Sequence, residues 1–364
     1  MDWIGIYGII FITALFFSLL YTPICKAVAK KYNFLDVPKC EQHKLHKTAT
    51  PLLGGLAMFA SWLTTILGAI LVRALFPDIA DSRLMAQADG VLLVSRETVV
   101  LLLCAGLATL LGICDDKSSM KAWKKLIGQI LIAMIAATWG GLGITLFIGI
   151  PVVTWCVTVF WIVLIFNAIN FFDNMDGLAV GTCCIAFLFF TVAAATNQQY
   201  FVASLAAVSA GAAMGFWWYN RAPAQIFMGD SGSHFLGFLV AAVSAKVTYY
   251  TPGVSTTRFT MLIPLFILAI PLLDTLTVVL IRLHNRKPIY VGDHNHISHR
   301  FLHMGLTRPQ AVSMVHLLCL IAGLGALPLL WGDMKTTILL IIQGLVMFTL
   351  ITFLQFALYK GESK

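Results

Sequence analysis

Charge is what this sequence has least of. Only 11% of its 364 residues are Asp, Glu, Lys or Arg. A soluble domain needs roughly 25% to cover itself, so an ordinary globular enzyme in water is excluded. The eight cysteines include no CxxC pair. Cys25, Cys104, Cys156, Cys183, Cys184 and Cys319 lie in apolar stretches and read as small hydrophobes. The N-terminus lacks a basic leader, carrying Asp2 instead, and its first apolar run has no A-x-A site. It reads as a retained first helix, not a removed signal peptide. No internal repeat, low-complexity tract or Pro-rich linker divides the chain, so a single integral-membrane domain over 1–364 is expected.

What is abundant is apolar: 59% of the residues are hydrophobic and the mean hydropathy is +0.89. A helix needs about 20 apolar residues to cross a bilayer. Eleven runs qualify, approximately 3–25, 52–76, 98–114, 124–141, 151–170, 178–196, 200–218, 233–250, 259–283, 311–331 and 336–358. The expected fold is therefore all-α, a polytopic transmembrane bundle of about eleven helices. With the N-terminus outside and the C-terminus in the cytoplasm, the inner intervals and their flanks Lys124, Lys125 and Arg282 hold 18 of the 24 basic residues. That asymmetry is the positive-inside signature. The outer interval at 77–97 carries Asp78, Asp81, Asp89 and Glu97 and reads as a solvated cap.

The same topology sorts the unusual polar residues onto the inner face. Asp115 and Asp116 end one span, and Lys121, Lys124 and Lys125 open the next. Both sets lie at the helix end where the macrodipole disfavours their sign. The lysines could face anionic headgroups, whereas two adjacent carboxylates need a cationic partner, a Lys or Mg²⁺. Asn167 and Asn170 share a helical face in a run that continues through Asp173, Asp176 and Gly177. Asp176 could cap the span that follows. The stretch Asn220 to His234 contains Phe227, Gly229, Asp230 and Ser231; Asp230 or Ser231 could cap its helix, or Asp230 could hold Mg²⁺ where small residues admit a phosphate. Finally Asp293, His294, His296, His299 and Arg300 form a dense polar knot. Zinc is disfavoured there by the basic neighbours and the lack of an adjacent thiolate; hydrogen bonding to phosphate suits the local charge. Asp274 stands alone within an apolar span, either functional by default for an intramembrane acid or held in a structural hydrogen bond.

Five ordered motifs carry a resemblance: Thr50-Pro-Leu-Leu-Gly-Gly55, the Asp115-Asp116 pair with Lys125, NxxNxxDxxDG at 167–177, FMGDSGS at 227–233, and Asp293 through Arg300. Together they resemble the polyprenyl-phosphate N-acetylhexosamine-1-phosphate transferases, nearest to the bacterial undecaprenyl-phosphate N-acetylglucosamine-1-phosphate branch. The chain lacks the PIHHHFE-like signature of the muramoyl-pentapeptide branch, the alternative within the family. Two positions depart from the usual pattern: Ser298 stands where a histidine is usual, and Asn174 where a glycine is.

The resemblance implies a ten- or eleven-helix bundle in a bacterial inner membrane, with its site on the cytoplasmic face. It implies transfer of a sugar phosphate from a UDP-N-acetylhexosamine to undecaprenyl phosphate, starting an envelope polymer such as O-antigen or teichoic acid. The implied cofactor is Mg²⁺, with Mn²⁺ as substitute, held by Asp230 and Asn170. Asp115, Asp116, Lys125, His296, His299 and Arg300 are the implied catalytic residues. Asn167, Asp173, Asp176, Asn220, Phe227 and Asp293 are the implied substrate contacts, with Asn220, Phe227 and Asp173 near the uracil. His43, Lys44, His46 and Lys47 could touch substrate or lipid headgroups. The lipid bilayer and a second copy of the chain are further candidate partners; no nucleic acid is expected. A proton-coupled transporter is the reading from another class, and it expects acids near the midplane and broken helices in matching halves.

Overall fold

The computed structural model describes residues 3–36, 49–75, 95–144, 149–251, 257–290 and 295–359. Asp293, His294, His43, Lys44, His46, Lys47 and most of the 77–97 interval lie outside the described residues. Within them the chain is helical almost throughout. In chain order the helices are α1 Trp3–Lys31, α2 Gly54–Leu75, α3 Ser95–Ser118, α4 Ala122–Trp139, α5 Pro151–Phe172, α6 Leu178–Thr196, α7 Tyr200–Asn220, α8 Gly229–Lys246, α9 Ile263–Ile267, α10 Ala269–His284, α11 Ile297–His303, α12 Arg308–Ala326 and α13 Met334–Tyr359. Between α1 and α2, the two-residue strands β1 Leu35–Asp36 and β2 Thr50–Pro51 pair antiparallel, Leu35 opposite Pro51.

Each of the eleven apolar runs contains a helix. Among the described residues, eight helices are long and apolar enough to cross a bilayer, nine if the bent pair Arg258–Ile267 and Ala269–His284 is one span. The other two, α4 and α8, fall short because they carry polar groups: Lys124, Lys125 and Gln129 on α4, and Asp230, His234 and Lys246 on α8. Lys125, Gln129, Asp230, His234 and Lys246 meet partners inside the protein, while Lys124 is exposed. Every residue of α8 from Ser231 to Ala245 is buried, packed among α2, α3, α5 and α6, so its sequence need not satisfy lipid. By contrast α1 and α13 expose Ile4, Phe16, Leu339, Leu345 and Phe353, the apolar surface that hydrocarbon would cover. Long apolar helices with lipid-facing sides make the chain a multi-pass membrane protein.

Small residues let the central helices approach. Ala206, Ala210, Gly211, Ala213 and Gly215 on α7 are buried where α7 packs on α1 and α6, as expected where helices associate without a hydrophobic drive from water. The bent span has a local cause. Pro271 has no N–H to offer the carbonyl four residues back, so the helix stops at Leu268 and restarts, bent by 70°.

The α3–α8 pair positions the site. The two run antiparallel and are tied at both ends: Lys246 pairs with Glu97 at one end, and Asp116 meets the start of α8 at the other. A Cβ on Gly112 would lie 2.3 Å from the Asp230 carbonyl oxygen, so only glycine allows this approach. Gly112→Ala should therefore destabilise the protein by about 1–3 kcal/mol through backbone displacement, read as a lowered unfolding midpoint in detergent. Gly325→Ala, whose Cβ meets nothing within 4 Å, should stay within about 0.5 kcal/mol of the parent.

Candidate active site

Lys125 lies at the centre. It stands in the first turn of α4, an unfavourable place for a cation by local rules, yet its Nζ donates to Asp115 Oδ2 at 2.9 Å, to Asp230 Oδ1 at 2.9 Å and to Asn170 Oδ1 at 3.2 Å. Three N–H groups find three acceptors, from the end of α3, the start of α8 and the last turn of α5. Asp115 Oδ1 also accepts the Met120 N–H at 2.6 Å, which closes the α3–α4 turn. The Asp115 side chain is buried with both oxygens engaged.

Asp116 answers the second wrong-end charge. Its Oδ1 accepts the N–H of Asp230 at 2.7 Å and its Oδ2 the N–H of Ser231 at 3.0 Å. The carboxylate thus caps α8 from another helix, where the dipole favours negative charge. No side chain of the 228–231 stretch caps α8 itself. Gly229 turns the chain through a left-handed φ of +64°, and a Cβ there would lie 2.6 Å from Asp116 Oδ2. The Thr50–Gly55 motif braces the same turn through backbone bonds: Phe227 N–H to the Pro51 carbonyl at 2.9 Å, and the Gly54 and Gly55 N–H groups to the Phe227 and Met228 carbonyls, each at 3.2 Å.

Asn170 donates from Nδ2 to Asp230 Oδ1 and to Ser233 Oγ, the latter at 2.8 Å. Asp173 ends α5; its carboxylate has no hydrogen-bond donor among the described residues. Burial, then the charges of Asp230, Asp116 and Asp176, push it up to about 8. Asp176 does not cap α6. Gly177 occupies the cap position, and Asp176 Oδ2 instead accepts the Ala224 N–H at 3.0 Å. Asn220 is buried with both ends of its amide committed to backbone, accepting from Gly177 N–H at 3.0 Å and donating to the Ile226 carbonyl at 2.9 Å. It joins the acidic loop to the 221–228 segment. Phe227 is half-buried in that segment.

Behind the carboxylates runs a polar chain that joins Asn167, the first residue of the 167–177 motif, to Gln129 and His234, which motif reading did not single out. Asn167 Nδ2 donates to Gln129 Oε1 at 2.8 Å, Gln129 Nε2 meets His234 Nε2 at 3.2 Å, and His234 Nδ1 meets the Asp230 carbonyl at 2.7 Å. A carbonyl only accepts, so Nδ1 carries the hydrogen and Nε2 accepts from the amide; these partners assign the neutral tautomer. The signal was in the spacing: Gln129 lies four residues after Lys125, and His234 four after Asp230, each pair on one helical face.

The second group sits on α11. His296, His299 and Arg300 are all buried, with the two imidazole centroids 6.4 Å apart. Arg300 Nε donates to the Asn295 carbonyl at 3.0 Å. The link to the acidic loop is Ser298 Oγ donating to Asn174 Oδ1 at 2.6 Å. The two positions that depart from the family pattern therefore touch each other, and a glycine at 174 could not make that bond.

These donors suit a hard cation in chemistry: several carboxylates gather around one ammonium and leave net negative charge. Among the described residues no group of three or more His, Cys, Asp or Glu is placed to hold a metal. Mg²⁺ takes one or two carboxylates and completes its shell with phosphate and water. Asn170 turns its oxygen toward Lys125 and its nitrogen toward Asp230, so ligation by both Asp230 and Asn170 requires the ammonium to yield or the amide to turn.

Comparisons with known proteins agree with this geometry. The family model described as glycosyl transferase family 4 matches residues 98–248, the stretch that holds Asp115, Asp116, Lys125, Asn170, Asp173 and Asp230. A probable undecaprenyl-phosphate N-acetylglucosaminyl 1-phosphate transferase of Bacillus subtilis is 33% identical, over 91% of this chain and 88% of that protein. A decaprenyl-phosphate N-acetylglucosaminephosphotransferase of Mycobacterium leprae is 27% identical, over 90% of this chain and 84% of its own. A phospho-N-acetylmuramoyl-pentapeptide-transferase of Bacillus cytotoxicus is 30% identical but over only 65% of this chain.

The raised Asp173 has a measurable consequence. Between 3.8, its ordinary value, and about 8, Asp173 is protonated in the folded protein and ionised in the unfolded chain. The folded state binds more protons across that window, so stability falls as pH rises through it. Asp173→Asn should flatten the fall of the unfolding midpoint between pH 5 and 8, measured in detergent without divalent ions.

Proposed function

The chain belongs to glycosyl transferase family 4, and from that premise we propose that it transfers N-acetylglucosamine-1-phosphate from its UDP-sugar to undecaprenyl phosphate, releasing UMP at the cytoplasmic face. The lipid phosphate oxygen bonds to the sugar-linked β-phosphorus as that phosphorus parts from the oxygen bridging it to the α-phosphate. UMP leaves with that oxygen, and the product is a lipid-linked diphosphate sugar of the kind that starts an envelope polysaccharide. The observation that supports this reading most directly is the convergence of Asp115, Asp116, Asp173 and Asp230 from the ends of α3, α5 and α8, with Lys125 paired to Asp115 and Asp230.

Two anions must meet, so the site's work is positioning and electrostatics. When bound between Asp230 and Asn170, Mg²⁺ would neutralise the diphosphate. Lys125, already oriented by three acceptors, supplies a fixed positive charge beside it. A phosphomonoester has a second pKa near 6, so the lipid phosphate is largely dianionic at pH 7 and needs no base. Asp115 has both oxygens engaged, which suits an electrostatic organiser that aims Lys125. Asp116 holds the Asp230 turn in place. His296, His299 and Arg300 are the groups for further phosphate or sugar oxygens. The identity over most of the chain with N-acetylglucosamine-phosphate enzymes favours that sugar over the muramoyl-pentapeptide substrate.

The test is direct. Purified protein, undecaprenyl phosphate, Mg²⁺ and a panel of radiolabelled UDP-sugars should make the N-acetylglucosamine label lipid-soluble and release UMP; release of UDP would mean an ordinary glycosyl transfer. EDTA should stop turnover and excess Mg²⁺ restore it. Asp115→Asn and Asp230→Asn should each lower turnover by about 100-fold or more while the protein still accumulates in the membrane. Near-normal turnover in either removes that residue from the mechanism.

A further inference from the structure

Asp274 belongs to none of the five motifs and lies within a membrane span, yet it is 4% exposed and bound to a residue of the site. Its Oδ2 meets His296 Nδ1 at 2.6 Å, and its Oδ1 accepts the Ile297 N–H at 2.6 Å. A carboxylate offers only lone pairs, so the imidazole hydrogen must sit on Nδ1. That leaves Nε2 as the second ring nitrogen, with no partner among the described residues, on a side chain only 4% exposed. That nitrogen is not sealed in the interior, so a ligand oxygen can reach it.

We infer that Asp274 is a positioning residue: it fixes the orientation and tautomer of His296 so that Nε2 is presented to an oxygen of the phosphate-bearing substrate. This rests on the transfer reaction proposed above. Three features of the structure support it. Asp274 grips the ring and the backbone of the next residue together, so a flip or swing of the imidazole breaks its bond to a carboxylate that the Ile297 N–H holds in place. The grip comes from α10, just beyond the break at Leu268, so the bent span serves to bring an acid from within the membrane to α11. Ser298 ties the same short helix to Asn174 in the acidic loop, so the height of His296 over that loop is fixed from two sides. An imidazole oriented by a carboxylate in this way commonly serves as the polar contact to a reacting group, with the acid acting only through it.

Asp274→Asn separates positioning from mere support. The amide keeps one oxygen, which the Ile297 N–H can still use, but it turns an NH₂ toward Nδ1; the ring must then accept there and carry its hydrogen on Nε2. Diethyl pyrocarbonate modifies a ring nitrogen that has a free lone pair, and peptide mass spectrometry of the intact, detergent-solubilised protein reads the modification at His296. We expect labelling of His296 to fall by about tenfold in Asp274→Asn. Kinetically, Asp274→Asn and His296→Gln should each lower kcat/KM by about 10- to 100-fold, and the double variant should be no slower than His296→Gln alone, because the acid acts through the ring. Asp274→Glu, which keeps both acceptor oxygens, should recover more labelling than Asp274→Asn. Where Asp274→Asn does not accumulate, Asp274→Glu against Asp274→Gln repeats the same comparison. Absence of His296 labelling in the parent, equal labelling of parent and variant, or a double variant slower than His296→Gln by the full factor of Asp274→Asn overturns the inference. If the parent turns over no UDP-sugar, the proposed function fails, while the labelling arm still decides the role of Asp274.

Discussion

The site depends on one ammonium held among acids. Lys125 sits where a helix dipole opposes it, and Asp115 and Asp116 sit where the preceding helix opposes them; neither arrangement is stable in isolation. Each becomes favourable only when α8 brings its N-terminus between them. Asp116 then caps that N-terminus, and Asp230, one residue into the helix, completes the acceptors around Lys125. Removing the lysine would leave buried carboxylates unpaired, which costs far more than the pair itself contributes. The polar centre therefore holds α3, α4, α5 and α8 in register, while the surrounding apolar surfaces set only that they pack.

The net negative charge left over after Lys125 is counted is what makes the cluster a receiving site. A region that gathers carboxylates at the membrane face, with Asp173 pushed up by burial and then by its neighbours, is poised to gain from a cation or from an anion that brings one. The buried chain from Asn167 through Gln129 and His234 to the Asp230 carbonyl holds the centre from behind. Each of its members is satisfied, so it stiffens the turn without exposing unpaired groups to the low-dielectric interior.

A second tier, α11, is attached differently. It is short, so its own helical bonds contribute little, and its place is set by side chains: Asp274 from α10, Asn174 from the acidic loop, and Ile297 in an apolar cluster with Phe172, Leu178 and Val315. Ser298 and Asn174, separately unusual against the family pattern, are physically one feature. Neither alone signals a contact; a hydroxyl donor and an amide acceptor facing each other do.

The sequence by itself determined the long helices and the clustering of acids and amides in the loops between them, because hydrocarbon enforces long apolar runs and the loops that remain must carry the polar chemistry. It also marked Asp115, Asp116 and Lys125 as charges out of place, and the i, i+4 spacing of Lys125 with Gln129 and of Asp230 with His234. What it could not supply were the partners. That Asp116 caps a helix more than a hundred residues away, that Asp176 and Asn220 hold backbone groups, that α8 tolerates polar residues because protein and not lipid surrounds it, and that Asp274 grips His296 are decided by tertiary packing. The physical reason is that a helix dipole, an apolar run or a spacing is a local property of the chain, whereas the satisfaction of a buried charge depends on which distant group the fold sets within three ångströms of it.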